Sequence, residues 1–338
     1  TINALGYLLG ALSMPRLLKR FGAAQMLVVG AVLASAFMML TGFFTTATPL
    51  LAQRLLAGVA SAWVFVAGGL LAAQLGVREP DRSGLLLGVY YGGTGLGIVF
   101  SALLVPSVAH VVSVNLSAAA HPWVWGWWAL AAGCALGSLV LLTYLPTMKG
   151  LTTGQTSPAT AAQTPVHHPF RWRSFTFALL GYGCFGIGYI GYMTFVIALL
   201  REQAASTTMI TVFYTLLGLA VMASSRIWAK LLDRYRGGQA LALLNALLGC
   251  AIVIPALTRW QPALIVSGLL FGGVFLSVVA STTALVRHNL PVSAWGAGIS
   301  AFTIVFAAGQ IVGPTMVGWI ADGTGGLARG LLISALAL

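Results

Sequence analysis

The sequence predicts an all-α protein that crosses a membrane many times, and three observations support this fold class. Charged residues are 7% and hydrophobic residues 59% of the 338-residue chain, whereas soluble domains average about 25% and 45–50%. The mean hydropathy is +0.95. The apolar residues are gathered into windows of about 20 residues, the length that an α-helix needs to cross the hydrocarbon core of a bilayer.

Eleven apolar windows follow one another along the chain, separated by glycine, proline and charged residues. The first and the last are short and are interpreted as truncated spans. The predicted spans are 1–14, 24–45, 49–75, 83–108, 123–145, 173–200, 207–230, 239–258, 261–286, 294–321 and 327–338.

The lysine and arginine residues predict the orientation of these spans. Every second connection between spans is rich in Lys and Arg. The remaining connections, on the other predicted side of the membrane, hold only Arg201, Arg259 and Arg329. Short cytoplasmic loops carry an excess of Lys and Arg, so the connections rich in Lys and Arg are predicted to lie on the cytoplasmic side. The protein itself is predicted to lie in the cell (inner) membrane. Because the formal net charge of +12 is explained by this topology, no nucleic-acid partner is expected.

One connection is long and divides the chain into two halves. Residues 146–172 are rich in Thr, Gln, Ala and Pro and are predicted to be a flexible cytoplasmic linker between residues 1–145 and 173–338. His167 and His168 are neighbours in this linker, but two histidines without further ligands do not define a metal site. Neither a metal nor another cofactor is expected.

The two halves repeat each other at one constant offset. Leu17-Leu18-Lys19-Arg20-Phe21 is similar to Leu231-Leu232-Asp233-Arg234-Tyr235, Leu55-Leu56-Ala57-Gly58 to Leu269-Leu270-Phe271-Gly272, and Gly95 corresponds to Gly309. Each pair is 214 residues apart. The same offset puts the partner of span 173–200 before Thr1, so twelve helices in two parallel six-helix repeats are expected in the complete protein.

Several motifs resemble those of the major facilitator superfamily of transporters, and the resemblance covers essentially the whole chain. Residues 54–58 (RLLAG) are similar to the superfamily's R-x-x-x-G motif, which implies a role for Arg54 in substrate binding or proton coupling. Residues 231–238 (LLDRYRGG) resemble its cytoplasmic gate loop, which implies that Asp233, Arg234 and Arg236 latch the inward gate. The run 188–195 (GYIGYMTF) looks like the YbfB/YjiJ-type branch.

The first half carries a counterpart of the gate loop that departs from the pattern. Lys19, followed by Arg20, stands where the resemblance implies an Asp. This departure argues against a second latch at this position.

Arg54 is the main candidate site residue within the spans. A charged guanidinium inside an apolar helix is costly unless it faces a cavity or a partner. Gly58 follows one turn later on the same face, together with Ser61, Ala62 and Phe65, so a neighbouring helix or a substrate can approach there. The alternative is an arginine that snorkels to the membrane surface, since Arg54 is only about 8 Å from the predicted start of its helix.

A second candidate surface lies on span 173–200. Its aromatic residues recur at helical spacing on one face: Tyr182, Phe185, Tyr189 and Tyr192. The face extends over about 15 Å, so at least one hydroxyl needs a partner in the interior. It is predicted either to line a central cavity or to pack against other helices. Tyr91 and Gln310 are further candidate contacts, with a helix–helix hydrogen bond as the alternative.

The acidic residues do not provide an obvious proton carrier. Glu79, Asp81, Glu202, Asp233 and Asp322 all fall in loops or at helix ends, and none is placed to carry a proton at mid-membrane. Three alternatives remain open: a carrier in a preceding helix, attraction of an anion by Arg54, or transport without protons.

Together these features predict a secondary transporter of a small solute that works by alternating access. The cavity is expected between spans 49–75, 83–108, 173–200, 261–286 and 294–321. Arg54 is its main polar anchor, and an organic anion is slightly preferred because arginine binds carboxylates bidentately. The chain is expected to act as a monomer. A facilitator and a non-transporting sensor are the alternatives, whereas a membrane-embedded enzyme would need a metal motif, an Asp pair or an activated nucleophile that the spans lack.

Overall fold

The computed structural model describes residues 2–115, 121–153, 172–321 and 326–338. In these ranges the chain forms thirteen α-helices joined by short connections, with no β-strand. The helices are α1 Ile2–Phe21, α2 Ala23–Leu40, α3 Ala47–Arg78, α4 Ser83–Asn115, α5 Trp123–Thr143, α6 Leu145–Thr153, α7 Thr176–Glu202, α8 Thr207–Ile227, α9 Ala229–Arg234, α10 Gln239–Leu257, α11 Gln261–Asn289, α12 Trp295–Ala321 and α13 Gly326–Leu336.

Nine helices of the described ranges are long and apolar enough to cross a membrane, namely α2 to α5, α7, α8 and α10 to α12. The predicted all-α polytopic fold is therefore confirmed. Two predicted spans lie outside this group. They correspond to α1, whose C-terminal part carries Arg16, Lys19 and Arg20, and to α13, which has 11 residues.

Helix α6 corrects the start of the predicted flexible linker. Residues 146–153 are helical, and the Met148 N–H donates to the Tyr144 carbonyl at 3.0 Å, which joins α6 to the end of α5. Pro146 lies in the first turn, where a proline is compatible with a helix, and Met148 packs against the core. Residues 154–171, with His167 and His168, lie outside the described residues.

The predicted repeat reappears in the side-chain contacts. Gln53 of α3 donates from Nε2 to the Phe37 carbonyl of α2. Ser267 of α11 donates to the Ala251 carbonyl of α10 at 2.7 Å. Gln53 and Ser267 are 214 residues apart, and so are Phe37 and Ala251. The helix pairs α2/α3 and α10/α11 therefore occupy equivalent positions.

A glycine seam on α4 joins the two halves. Gly84, Gly88, Gly92 and Gly95 lie along one side of α4 and contact α8 and α9. A Cβ at Gly88 would lie 2.8 Å from the Ser225 Cα, and one at Gly95 would clash with the Gly218 carbonyl. Small residues let helix backbones approach closely, so α4 and α8 cross in contact along this line. Helices α1 and α12 pack together at a second junction between the halves.

Most of the charged residues that the structure describes gather at one end of the bundle, which we call the basic end. Lys19 and Arg20 end α1, Lys230 lies in α9, and Arg287 ends α11. Trp123, Trp125, Trp127 and Trp128 open α5 at the opposite end, which we call the tryptophan end.

Candidate functional site

A group of packed aromatic side chains fills the region where the two halves meet, and we call it the central aromatic cluster. Six helices contribute to it, three from each half. Its members are Tyr7 of α1, Phe65 of α3, Tyr91 of α4, Tyr182, Phe185 and Tyr189 of α7, Phe275 of α11 and Phe306 of α12. None of these side chains is acidic or basic.

The rings from the C-terminal half are stacked. The planes of Tyr189 and Phe306 are inclined by 16° with 5.3 Å between ring centroids, and those of Phe185 and Tyr189 by 17° at 4.9 Å. Tyr7 links this stack to the N-terminal half, since its ring lies 6.0 Å from Phe65 and 6.3 Å from Phe306. Such spacings are typical of favourable aromatic pairs.

Two polar contacts are embedded in the cluster. The Tyr91 and Thr283 hydroxyls share a hydrogen bond of 2.8 Å that runs from α4 of one half to α11 of the other. Gln310 of α12 donates from Nε2 to the Tyr189 hydroxyl. Tyr91 and Tyr189 are both buried. The predicted interior partners of the α7 tyrosines therefore include Gln310, and the centre offers hydroxyl and amide groups between aromatic faces.

Tyr182 and Tyr192 occupy different surroundings on the same helix. Tyr182 stacks on both Phe185 and Phe306 inside the cluster, with 5.3 Å between ring centroids in each pair. The Tyr192 hydroxyl shares a 2.8 Å hydrogen bond with Ser267, and its ring stacks on Phe271 at 4.2 Å. These partners all belong to the C-terminal half. Tyr192 therefore packs against a neighbouring helix, which is one of the two arrangements that the sequence left open for this face.

Arg54 lies at the tryptophan end and contacts α5. Its guanidinium carbon is 4.0 Å from the centroid of the Trp127 ring, in a cation–π arrangement. Arg54 precedes Phe65 by eleven residues, so about 16 Å along the helix axis separates it from the cluster. The structure therefore brings together Tyr91, Tyr182, Tyr189 and Gln310, while Arg54 stands apart from them.

Gly58 packs against α1. A Cβ at this position would clash with the Asn3 carbonyl and lie 2.8 Å from the Tyr7 backbone nitrogen. Ala62 likewise lies close to Gly10 of α1. The small residues that follow Arg54 thus allow α1 to pack closely against α3. The sequence left open whether a helix or a substrate approaches this face, and the structure places a helix there.

Asp233 is held by groups from both halves at the basic end. Its Oδ1 accepts a hydrogen bond from the Gly84 N–H at 2.7 Å and lies 3.2 Å from Nη2 of Arg287. Gly84 belongs to the first turn of α4, where backbone N–H groups have no intrahelical partner and the helix dipole favours a negative charge. The contact joins α9 of the C-terminal half to α4 of the N-terminal half.

The other predicted gate residues lie at the surface of the basic end. Lys19, Arg20, Arg234 and Arg236 are exposed. The guanidinium carbon of Arg20 is 5.1 Å from the Phe21 ring and that of Arg234 is 5.8 Å from the Tyr235 ring, while the Arg236 carbonyl accepts from Asn289 at 2.7 Å. Among the gate residues named from the sequence, Asp233 makes the contact between halves.

The Asp233–Arg287 ion pair is not repeated at the equivalent positions of the N-terminal half. At the repeat offset, Lys19 corresponds to Asp233 and Ala73 to Arg287. Both members of the ion pair are therefore replaced in the N-terminal half.

Residues that make these contacts but were not named from the sequence as part of a site include Tyr7, Gly84, Phe275, Thr283, Arg287 and Phe306. A signal for Arg287 exists, because it is a basic residue at the same end of the bundle as Asp233. The pairing of Thr283 with Tyr91 depends on how α4 and α11 are rotated toward each other, and the sequence of either helix does not reveal this. Within the described ranges, no group of three His, Cys, Asp or Glu side chains is placed to hold a metal.

The fold matches solved transporter structures. The crystal structure of the human organic anion transporter MFSD10 (TETRAN) aligns with a TM-score of 0.70 and 16% identity, over 99% of this chain and 80% of that chain. The proton:xylose symporter XylE, bound to 6-bromo-6-deoxy-D-glucose, aligns at 0.72 and 15%, over 99% and 82%. FucP in its outward conformation aligns at 0.68 and 15%, over 99% and 85%. The chain thus has the fold of the major facilitator superfamily.

The sequence comparison places the chain more narrowly. The family described as "Uncharacterised MFS-type transporter YbfB" matches residues 1–338, and the chain belongs to this family. The resemblance found in the motifs is therefore confirmed. No curated protein matches the chain.

Proposed function

We propose that the protein is a secondary active transporter that moves a small solute across the inner membrane by alternating access. The central aromatic cluster is its substrate region, and Asp233 with Gly84 and Arg287 is the gate contact at the basic end, which faces the cytoplasm in this proposal. The observation that carries the proposal is the position of paired polar groups, such as Tyr91 and Thr283, at the junction of the two halves. Rocking of the halves would open and close this junction.

The depth of the cluster supports a substrate region near the middle of the membrane. Tyr189 is the fourteenth residue of the 27-residue helix α7, about 20 Å from either end. A solute there would meet aromatic faces, hydroxyls and the Gln310 amide. Separation of the Tyr189–Gln310 pair would free a donor and an acceptor for it.

The preference for an organic anion depends on Arg54. The cluster itself supplies no cationic side chain, and Arg54 lies about 16 Å away along α3, at the tryptophan end. In our proposal an anionic solute meets Arg54 on its way to the centre. MFSD10 is an organic anion transporter and XylE a proton:xylose symporter, so anions are the first substrate class to test and a proton gradient is the first driving force.

The test is uptake by the protein reconstituted in liposomes. Solutes that raise its melting temperature are supplied as labelled compounds, with and without an imposed pH gradient. Gln310→Leu should raise KM for the transported solute because it removes the amide at Tyr189, while Gln261→Leu at the exposed start of α11 serves as the matched control. Binding without flux under every gradient would contradict transport and favour the sensor. Uptake that stops when the solute concentrations inside and outside the liposomes are equal, under every gradient, would favour the facilitator.

A further inference from the structure

We propose that one anionic phospholipid binds in the groove between α4 and α8, with its phosphate on Arg226 and one acyl chain along α4. The groove has a volume of about 460 Å³ and is lined mainly by apolar and small residues, with Arg226 at its basic end. The apolar wall includes Val89, Gly93 and Leu96 of α4 and Met222 of α8. This proposal is independent of the identity of the transported solute.

Arg226 is a charged side chain without a protein partner among the described residues. It is exposed in the last turn of α8, one residue before the helix ends at Ile227. The acidic residue that follows on α9, Asp233, is engaged by Gly84 and Arg287. An arginine near the end of a span extends its guanidinium toward the headgroup layer and keeps its stem along apolar surface. A phosphate is the anion available there.

Charge and shape of the groove favour the same ligand. Lys230 follows Arg226 by four residues, at the start of α9, and is also exposed, so a second cation stands at the basic end of the bundle. From Val89 to Leu96 the wall extends about 10 Å along α4, away from the basic end. This order, two cations followed by an apolar trough, corresponds to an anionic headgroup followed by an acyl chain.

The groove also has an open floor. A Cβ added at Gly93 would meet nothing within 4 Å, whereas the neighbouring seam position Gly88 is in close contact with Ser225. Gly93 therefore does not serve helix packing and leaves room for an acyl chain. One wall of the groove belongs to the N-terminal half and the other to the C-terminal half, so a lipid bound there contacts both.

The experiment measures lipid retention. Full-length protein in nanodiscs of equal phosphatidylglycerol and phosphatidylcholine is released and analysed by native mass spectrometry, which counts the lipids that stay bound. Wild type should retain phosphatidylglycerol in preference. Arg226→Gln should lower this preference about fivefold, since a basic residue near an anionic surface contributes about 1 kcal/mol. Arg234→Gln, an exposed cation on the same segment but not in the groove lining, is the matched control.

A second pair of variants tests the trough. Gly93→Phe fills the groove and should reduce retention of phosphatidylglycerol, whereas Gly137→Phe on α5, also with no atom within 4 Å of its Cβ, should leave retention unchanged. Equal retention of both lipids by wild type would overturn the proposal. Equal losses from Arg226→Gln and Arg234→Gln, or from the two glycine variants, would also overturn it, because they would indicate general surface attraction.

Discussion

The Asp233 carboxylate accepts a hydrogen bond from the Gly84 N–H, with 2.7 Å between Oδ1 and N, and this contact joins the two halves at the basic end. Arg287 lies 3.2 Å from the same oxygen. The carboxylate thus interacts with an N-terminal helix dipole and with a guanidinium. The negative charge of the carboxylate strengthens both interactions.

Asp233→Asn should therefore weaken closure at the basic end by roughly 1–2 kcal/mol. The amide oxygen can still accept a hydrogen bond, but the charge is lost. Ser83, buried at the start of α4, provides a reporter: in a variant with its three native cysteines replaced, Ser83→Cys should be alkylated about tenfold faster when Asp233→Asn is present.

Ser293→Cys, at an exposed position of the same end, controls for reagent access and should react equally in both backgrounds. Unchanged alkylation of Ser83→Cys in the presence of Asp233→Asn would show that this contact does not hold the basic end closed.

The Tyr91–Thr283 hydrogen bond should appear as a coupling in a double-mutant cycle. Tyr91→Phe and Thr283→Val each leave a buried hydroxyl without its partner, so the double variant should cost less stability than the sum of the two. Membrane hydrogen bonds average about 0.6 kcal/mol, and we expect a coupling of that order in the free energy of unfolding. Combining Tyr91→Phe with Thr315→Val, whose exposed hydroxyl bonds within its own helix, should give additive losses.

Local and periodic features of the sequence predict the bundle and its repeat. Apolar windows indicate the helices because each span must satisfy its backbone internally in lipid. The constant offset indicates equivalent halves, and the contacts of Gln53 and Ser267 reproduce that offset. The start of the linker was wrong because the apolar face of α6, with Met148, continues to pack after the span ends.

The candidate site was only partly predictable, for geometric reasons. The spacing of Tyr182, Phe185 and Tyr189 identifies a shared face, and this face does lie in the central cluster. The partner of Arg54 could not be predicted, because it depends on the rotation of α3 relative to α5. Trp127 lies 73 residues further along the chain, and no local pattern connects the two.

Substitutions at two glycines of α4 should differ sharply in their effect on stability, because only one of them lies in the glycine seam. Gly88→Leu should lower the melting temperature and the yield of folded protein, because its Cβ would lie 2.8 Å from the Ser225 Cα and overpacking costs about 1–3 kcal/mol. Gly97→Leu, with nothing within 4 Å of its Cβ, should behave like wild type. Equal thermal stability of both variants would show that α4 and α8 do not need this close approach.

Arg54 gives the last prediction, because its two possible roles have different consequences. If it only anchors α3 to α5 through Trp127, Arg54→Ala and Trp127→Leu should lower stability alike, by about 0.5–2 kcal/mol, and leave uptake intact. Our proposal expects more from Arg54. Arg54→Ala should raise KM for an anionic solute about tenfold, since hydrogen bonds to charged groups contribute about 1.5–3 kcal/mol. Trp127→Leu should leave this KM near the wild-type value, because the guanidinium remains.

Uptake by the Arg54 and Trp127 variants in liposomes decides between these roles, with melting temperatures measured on the same preparations. Arg54→Lys should recover part of the anion uptake, because the positive charge is kept while the planar fork is lost. If all three variants have the wild-type KM, Arg54 is a structural anchor. The substrate would then be recognised through the uncharged centre, where Tyr189 and Gln310 meet.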